Sequence, residues 1–152
     1  MQKILFVCLG NICRSPLAEG IMLHLKSKHN LQLEIDSAGT ANYHVGEAPD
    51  RRTIANAKKK GVDLSSLRAR QFSAIDFENF DKIYAMDKNN FKNILALAKK
   101  ESHKNKVSLF LSGEPSYEDE VPDPYYGTES DFENVFWLVY EKCEQLAGIK
   151  EL

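Results

Sequence analysis

Residues 4–8 read Ile-Leu-Phe-Val-Cys, five apolar residues in a row, and the chain then passes straight into Leu-Gly-Asn. A strand with one wet face alternates apolar and polar residues. An unbroken apolar run belongs to a strand covered on both faces, as in parallel sheets flanked by helices. A helix is expected from about residue 16, with Leu17, Ile21 and Leu25 on one face at i, i+4 and i+8. Ser15 then falls at the N-cap and Pro16 at the first helical position, both favoured there. Glu19 misses the strict capping box by one place. Residues 33–36 read as a second strand, followed by a helix over 50–60 that Gly61 closes. Residues 82–86 read as a third strand, and 88–100 as a helix with Phe91, Ile94, Leu95 and Ala98 inward. Residues 107–111 read as a fourth strand. A polar segment over 112–129 leads to a last helix near Ser130, where Ser130 and Glu133 fit a capping box. Its apolar stripe is Phe132, Val135, Phe136, Val139, Tyr140, Cys143 and Leu146, and Gly148 ends it.

The alternation of strand and helix implies an α/β three-layer sandwich with a four-stranded parallel sheet, doubly wound in the flavodoxin-like manner. In such a sheet every strand ends on one rim, and ligands bind there. Segments after the four strands begin near Cys8, Ser37, Asp87 and Ser112, so residues far apart in sequence can meet: 8–15, Tyr43, Asp87 and the loop holding Asp123, Tyr125 and Tyr126.

The 152 residues suit a single domain over 1–152. A net charge of −2 gives no broad attraction to nucleic acid or an anionic membrane. The run Lys58-Lys59-Lys60 reads as a solvated helix face. No apolar stretch approaches the ~18 residues of a membrane span. The apolar residues 4–9 are too few for a secretion signal, so a cytoplasmic location is expected. Three cysteines, at 8, 13 and 143, do not make a secreted disulfide framework. The histidines at 24, 29, 44 and 103 lack zinc-ligand spacing, and no metal or other cofactor is expected.

The chemistry concentrates in Cys8-Leu9-Gly10-Asn11-Ile12-Cys13-Arg14-Ser15, between the buried strand and the helix start. A helix N-terminus offers unpaired N–H groups and the positive end of a dipole, a ready anion site. Gly10 and Asn11 tolerate positive φ, which lets the loop turn its amides inward around a phosphoryl group. Cys8 stands at the mouth of that field, where thiolate is favoured. Arg14 can clamp two phosphoryl oxygens with its planar fork, and the Ser15 hydroxyl can donate to the sulfur.

A cysteine, five residues and Arg-Ser between strand and helix is the signature of cysteine-dependent phosphatases. Cys-Leu-Gly-Asn-Ile-Cys-Arg-Ser-Pro over 8–16, with Asp-Pro-Tyr-Tyr-Gly over 123–127, resembles the low-molecular-weight protein tyrosine phosphatase family over the whole chain. The resemblance implies that Cys8 attacks phosphorus and forms a phosphocysteine, while Asp123 acts as general acid and then base. It implies phosphate binding by Leu9, Gly10, Asn11, Ile12, Cys13 and Arg14, with loop support from Ser15 and Asn11. Tyr43, Tyr125 and Tyr126 become walls of the substrate pocket, and Cys13 a resolving thiol for an oxidised Cys8. The tyrosine pair is also expected to be a phosphorylation target. The implied partners are phosphotyrosine proteins, among them a bacterial tyrosine kinase, and phosphate-like anions. Two positions depart from relatives: Tyr43 replaces a common Trp, and Leu67 stands where some carry a His that braces the loop Asn. Asn11 is therefore expected to be held differently. Asp87 reads as a structural hydrogen-bond partner, and Cys143 as core.

Arsenate reduction needs further redox cysteines mid-chain, and none lies between Cys13 and Cys143. Arginine phosphatases are expected to carry Thr at the position of Ile12. A binding module without turnover would lack the nucleophile or acid, yet Cys8, Arg14 and Asp123 are present. No G-x-x-x-x-G-K-[ST] motif occurs.

Overall fold

The structure, a computed structural model, describes residues 1–113 and 117–149. Ten elements follow one another: β1 (Gln2–Cys8), α1 (Arg14–His29), β2 (Leu33–Gly39), α2 (Arg51–Lys58), α3 (Asp76–Asn79), β3 (Lys82–Ala85), α4 (Lys88–Leu97), α5 (Glu101–Lys104), β4 (Val107–Leu109) and α6 (Glu129–Leu146). The strands form one parallel sheet in the order β2-β1-β3-β4. Successive residues of β1 face opposite sides of the sheet. Ile4, Phe6 and Cys8 join the core packed under α1 and α6. Leu5 and Val7 join the opposite core with Phe72, Phe77 and Ile94. The apolar run thus feeds both layers, and each fully buried side chain in it contributes about 1.5–3 kcal/mol. The order reverses between β1 and β3, and the rim beside that point is where doubly wound sheets leave a ligand crevice. Cys8 is the last residue of β1 and opens onto that rim.

Helix α2 and strands β3 and β4 are shorter than the sequence expectation, and four other boundaries differ from it for a visible reason. Helix α1 starts at Arg14, so Ser15 is not its N-cap. The Ser15 hydroxyl turns instead toward Cys8, and Pro16 lies among the first four residues, whose N–H groups lack helical acceptors in any case. Strand β2 runs on to Gly39, because its pairing with β1 continues to Cys8. Helix α4 ends at Leu97, where Ala98 turns extended, and the short α5 follows so that the His103 ring stacks on Phe77. Helix α6 is capped by Thr128 and Asp131, not Ser130 and Glu133: the Asp131 carboxylate accepts the Thr128 N–H at 2.7 Å. Glu133 is not free to fold back, since Asn56, Lys60 and Trp137 all donate to it. The stripe Phe132, Val135, Phe136, Val139 and Cys143 is buried as expected. Residues 114–116 of the expected polar segment lie outside the described residues. No helix among the described residues is long and apolar enough to cross a membrane.

Candidate active site

The loop after β1 is shaped by where its carbonyls go. Those of Cys8, Leu9, Ile12 and Cys13 accept from the N–H groups of Thr40, Ala41, Asp50 and Leu17. The N–H groups of Gly10, Ile12 and Cys13 have no acceptor among the described residues, and are free for an anion. Asn11 alone in the loop has positive φ, at 59°. Gly10 does not, contrary to the sequence expectation. Its lack of a side chain gives room instead, since a Cβ there would stand 3.1 Å from His44 Cδ2. Gly39 permits the closest approach, because a Cβ would meet the Leu9 carbonyl oxygen at 2.8 Å.

Asn11 is the hub of the loop. Its Nδ2 donates to Ser15 Oγ at 2.8 Å and to Ser37 Oγ at 2.9 Å, and its Oδ1 accepts the Arg70 N–H at 3.0 Å. Leu67 thus costs the loop no anchor, for a backbone N–H braces Asn11 here. Ser37 passes its own proton on to Glu19 Oε1. Because Ser15 Oγ already accepts from Asn11, its hydrogen is left to donate. Ser15 Oγ lies 2.9 Å from Cys8 Sγ and 3.4 Å from the Ala38 carbonyl. A neutral Cys8 thiol donates to Ser15, which turns its proton to Ala38; a thiolate draws that proton to sulfur. The Asn11 N–H adds a second donor to Sγ at 3.3 Å.

Arg14 is 4% exposed. Its Nη1 donates to Asp87 Oδ2 at 2.8 Å and to the Val121 carbonyl at 3.0 Å. Burial works against its charge, but the neighbouring Cys8 sulfur, Asp87 and Asp123 outweigh it and raise its pKa above the ordinary arginine value. Asp87 also caps α4 by accepting the Asn90 N–H, so it is a structural partner as expected. Asp123 Oδ2 stands 3.7 Å from Arg14 Nη2, and its Oδ1 accepts the Tyr125 N–H at 3.1 Å. A cavity of about 260 Å³ opens over Cys8 between Ile12, Tyr43, His44, Asp123 and Tyr125. Tyr43 is 70% exposed and Tyr126 95%, so both stand at the rim, with Tyr126 edge-on to Tyr125. Among the described residues no three His, Cys, Asp or Glu side chains gather as metal ligands.

A buried sulfur at a strand end, free amides in the loop after it, a buried guanidinium and a carboxylate beside it together suit an anion such as a phosphoryl group. Residues 3–152 match the model of the low molecular weight phosphotyrosine protein phosphatase family. The chain belongs to that family. Relatives agree along the length. The low molecular weight phosphotyrosine protein phosphatase of Schizosaccharomyces pombe is 45% identical, with 86% of this chain and 85% of that protein covered. A protein tyrosine phosphatase of Entamoeba histolytica, solved with Hepes in its active site, superposes with a TM-score of 0.87 at 39% identity, covering 96% and 94% of the two chains. Vibrio vulnificus Wzb, solved with benzylphosphonate, gives 0.84 at 27% identity over 97% of each.

Against this family background, four participants were missing from the sequence reading: Ser37, Glu19, Arg70 and Arg52. Ser37 lies on β2, Glu19 on α1, Arg52 on α2 and Arg70 in the loop before α3, and none carries a local motif. Only Glu19 left a trace, as an acid on an otherwise buried turn of α1. Burial pushes its carboxyl up to about 7; the Ser37 hydroxyl pulls it down, Asp36 adds to the rise and Arg70 opposes it. Cys13 is buried beside the pocket, and burial, then Asp50, pushes its thiol up to about 12.

Proposed function

We propose that this chain hydrolyses phosphotyrosine in proteins through a phosphocysteine intermediate. The observation that carries the reading is the convergence on one cavity of Cys8 and Arg14, from the two ends of one loop, and Asp123, from a segment more than a hundred residues on. The Cys8 thiolate attacks phosphorus opposite the leaving oxygen. As the S–P bond forms and the P–O bond breaks, the protonated Asp123 gives its proton to the leaving phenolate. The free loop amides and Arg14 hold the charge on the equatorial oxygens. A water then attacks phosphorus while the Asp123 carboxylate takes its proton. The S–P bond breaks, and phosphate leaves from a restored thiolate. The benzylphosphonate bound by the Wzb relative is an aryl-methyl phosphonate, the shape expected of a ligand here. The aromatic flanks Tyr43 and Tyr125 suit a phenyl ring.

Cys13 is the candidate partner for an oxidised Cys8. Burial pushes its thiol up to about 12, so capture is expected to accelerate as pH rises. The reaction is tested by phosphate release from phosphotyrosine and phosphoarginine peptides in parallel, without added metal, for wild type and Cys8→Ser. Release from phosphotyrosine alone, lost in the variant, is expected. Preferential release from phosphoarginine would show that Ile12 does not exclude a guanidinium. A bacterial tyrosine kinase is the candidate target, and unchanged phosphotyrosine on that kinase after deletion of this gene would remove it.

A further inference from the structure

Arg52, the second residue of α2, links the phosphate loop to the loop that carries Asp123. Its Nε and Nη2 donate to Asp50 Oδ1 and Oδ2 at 3.1 and 3.0 Å. Nη2 also donates to the Tyr125 carbonyl at 2.8 Å. The guanidinium carbon lies 5.5 Å from the centroid of the Tyr125 ring and 4.5 Å from that of Phe132, within cation–π range of both.

Each of these partners leads back to the site. The Asp50 N–H donates to the Ile12 carbonyl at 2.7 Å, on the outer side of the phosphate loop. The Tyr125 N–H donates to Asp123 Oδ1 at 3.1 Å. Phe132 belongs to the start of α6, just beyond the acid loop. Hydrogen bonds therefore run from Ile12 through Asp50, Arg52 and Tyr125 to Asp123. The other restraint on Asp123 is weaker in direction: Arg14 Nη2 attracts it across 3.7 Å, beyond hydrogen-bond length. An attraction of that kind sets no orientation, whereas the Tyr125 N–H does. The planar fork of Arg52 suits this task, since it can grip a carboxylate and a carbonyl in one plane while stacking on aromatic rings.

We propose that Arg52 is a positioning residue for the general acid, fixing Asp123 relative to the phosphate loop without itself holding phosphate. The proposal rests on the reading of Asp123 as the acid. A misplaced acid slows departure of a strongly basic leaving group far more than that of a weakly basic one, because only the former depends on protonation. The test compares kcat/KM on phenyl phosphate and p-nitrophenyl phosphate for wild type, Arg52→Ala, Arg52→Lys and Asp123→Asn. Inhibition by inorganic phosphate is measured beside it. Arg52→Ala is expected to lose roughly tenfold on phenyl phosphate, and much less on p-nitrophenyl phosphate, as a displaced catalytic group does. Arg52→Lys keeps the charge but not the fork and shows the same selectivity in milder form. Phosphate inhibition stays at the wild-type level. Adding Arg52→Ala to Asp123→Asn costs nothing more.

Equal losses on both substrates, or weakened phosphate inhibition, would overturn the proposal and make Arg52 a support of the whole pocket. Wild-type values for both Arg52 variants would also overturn it, leaving the acid intact. If Asp123→Asn itself shows no preference for the better leaving group, the acid assignment falls and the positioning role falls with it.

Discussion

Glu19 ties stability to pH in a way one substitution can isolate. Burial holds its carboxyl near 7, well above the ordinary 4.5. Between those values the folded chain keeps a proton that the unfolded chain releases, so stability falls as pH rises through this window and is fullest below it. Each pH unit costs about 1.4 kcal/mol, so the fall from pH 5 to pH 7 is on the order of 2–3 kcal/mol. Glu19→Gln removes the titration while its side-chain oxygen still accepts the Ser37 hydroxyl proton. Urea unfolding of both proteins at pH 5 and pH 8 measures the difference. Other shifted carboxyls, such as Glu78, are common to both proteins and cancel. Near-equal stability is expected at pH 5, and at pH 8 the variant exceeds wild type by about 2–3 kcal/mol. A gap of the same size at both pH values would refute the argument, for it would mean that Glu19 carries the same charge folded and unfolded.

Ser15→Ala removes the hydroxyl 2.9 Å from Cys8 Sγ, and slower alkylation of Cys8 by iodoacetate at neutral pH is the expected outcome. Asp123→Asn is expected to lower kcat/KM on phosphotyrosine peptide about 10²- to 10⁴-fold, read by steady-state kinetics. After peroxide, Cys8 of wild type is expected in a disulfide with Cys13 that dithiothreitol reverses, and Cys13→Ser instead accumulates sulfinic acid at Cys8 by mass spectrometry. Phe6→Ala empties a fully buried site where the ring meets Tyr84 and Phe110, and a loss of about 3–5 kcal/mol is expected in urea unfolding.

The strands, the loop and the place of its cysteine were legible because their signals are local. An apolar run, a Gly-Asn turn and a Cys-to-Arg spacing each sit within a few residues. What was hidden depends on contacts across the fold. Asn11 finds Ser37 at 26 residues' separation and Arg70 at 59, and no periodicity announces either. Arg52 beside Asp50 reads in sequence as an ordinary helix start, and only the docked acid loop gives it a second task. The start of α6 shows the same limit. Two capping boxes fit that stretch, and the choice falls to Thr128 because α2 claims Glu133. Ser15 follows suit: a good N-cap by type, it is drawn inside the helix by a sulfur seven residues earlier.

Arg14 is buried and already bound on one side by Asp87 and Val121. Its rotamer freedom, worth about 2 kcal/mol for such a side chain, is surrendered when the chain folds and not when a ligand arrives. A receptor set in advance for a tetrahedral dianion greets free phosphate as it greets the phosphorylated side chain. Under the proposed function, turnover is then expected to fall as the phosphate concentration rises. Under the proposed function, discrimination between phosphoproteins is then expected to fall to the exposed tyrosines at the rim, Tyr43 and Tyr126.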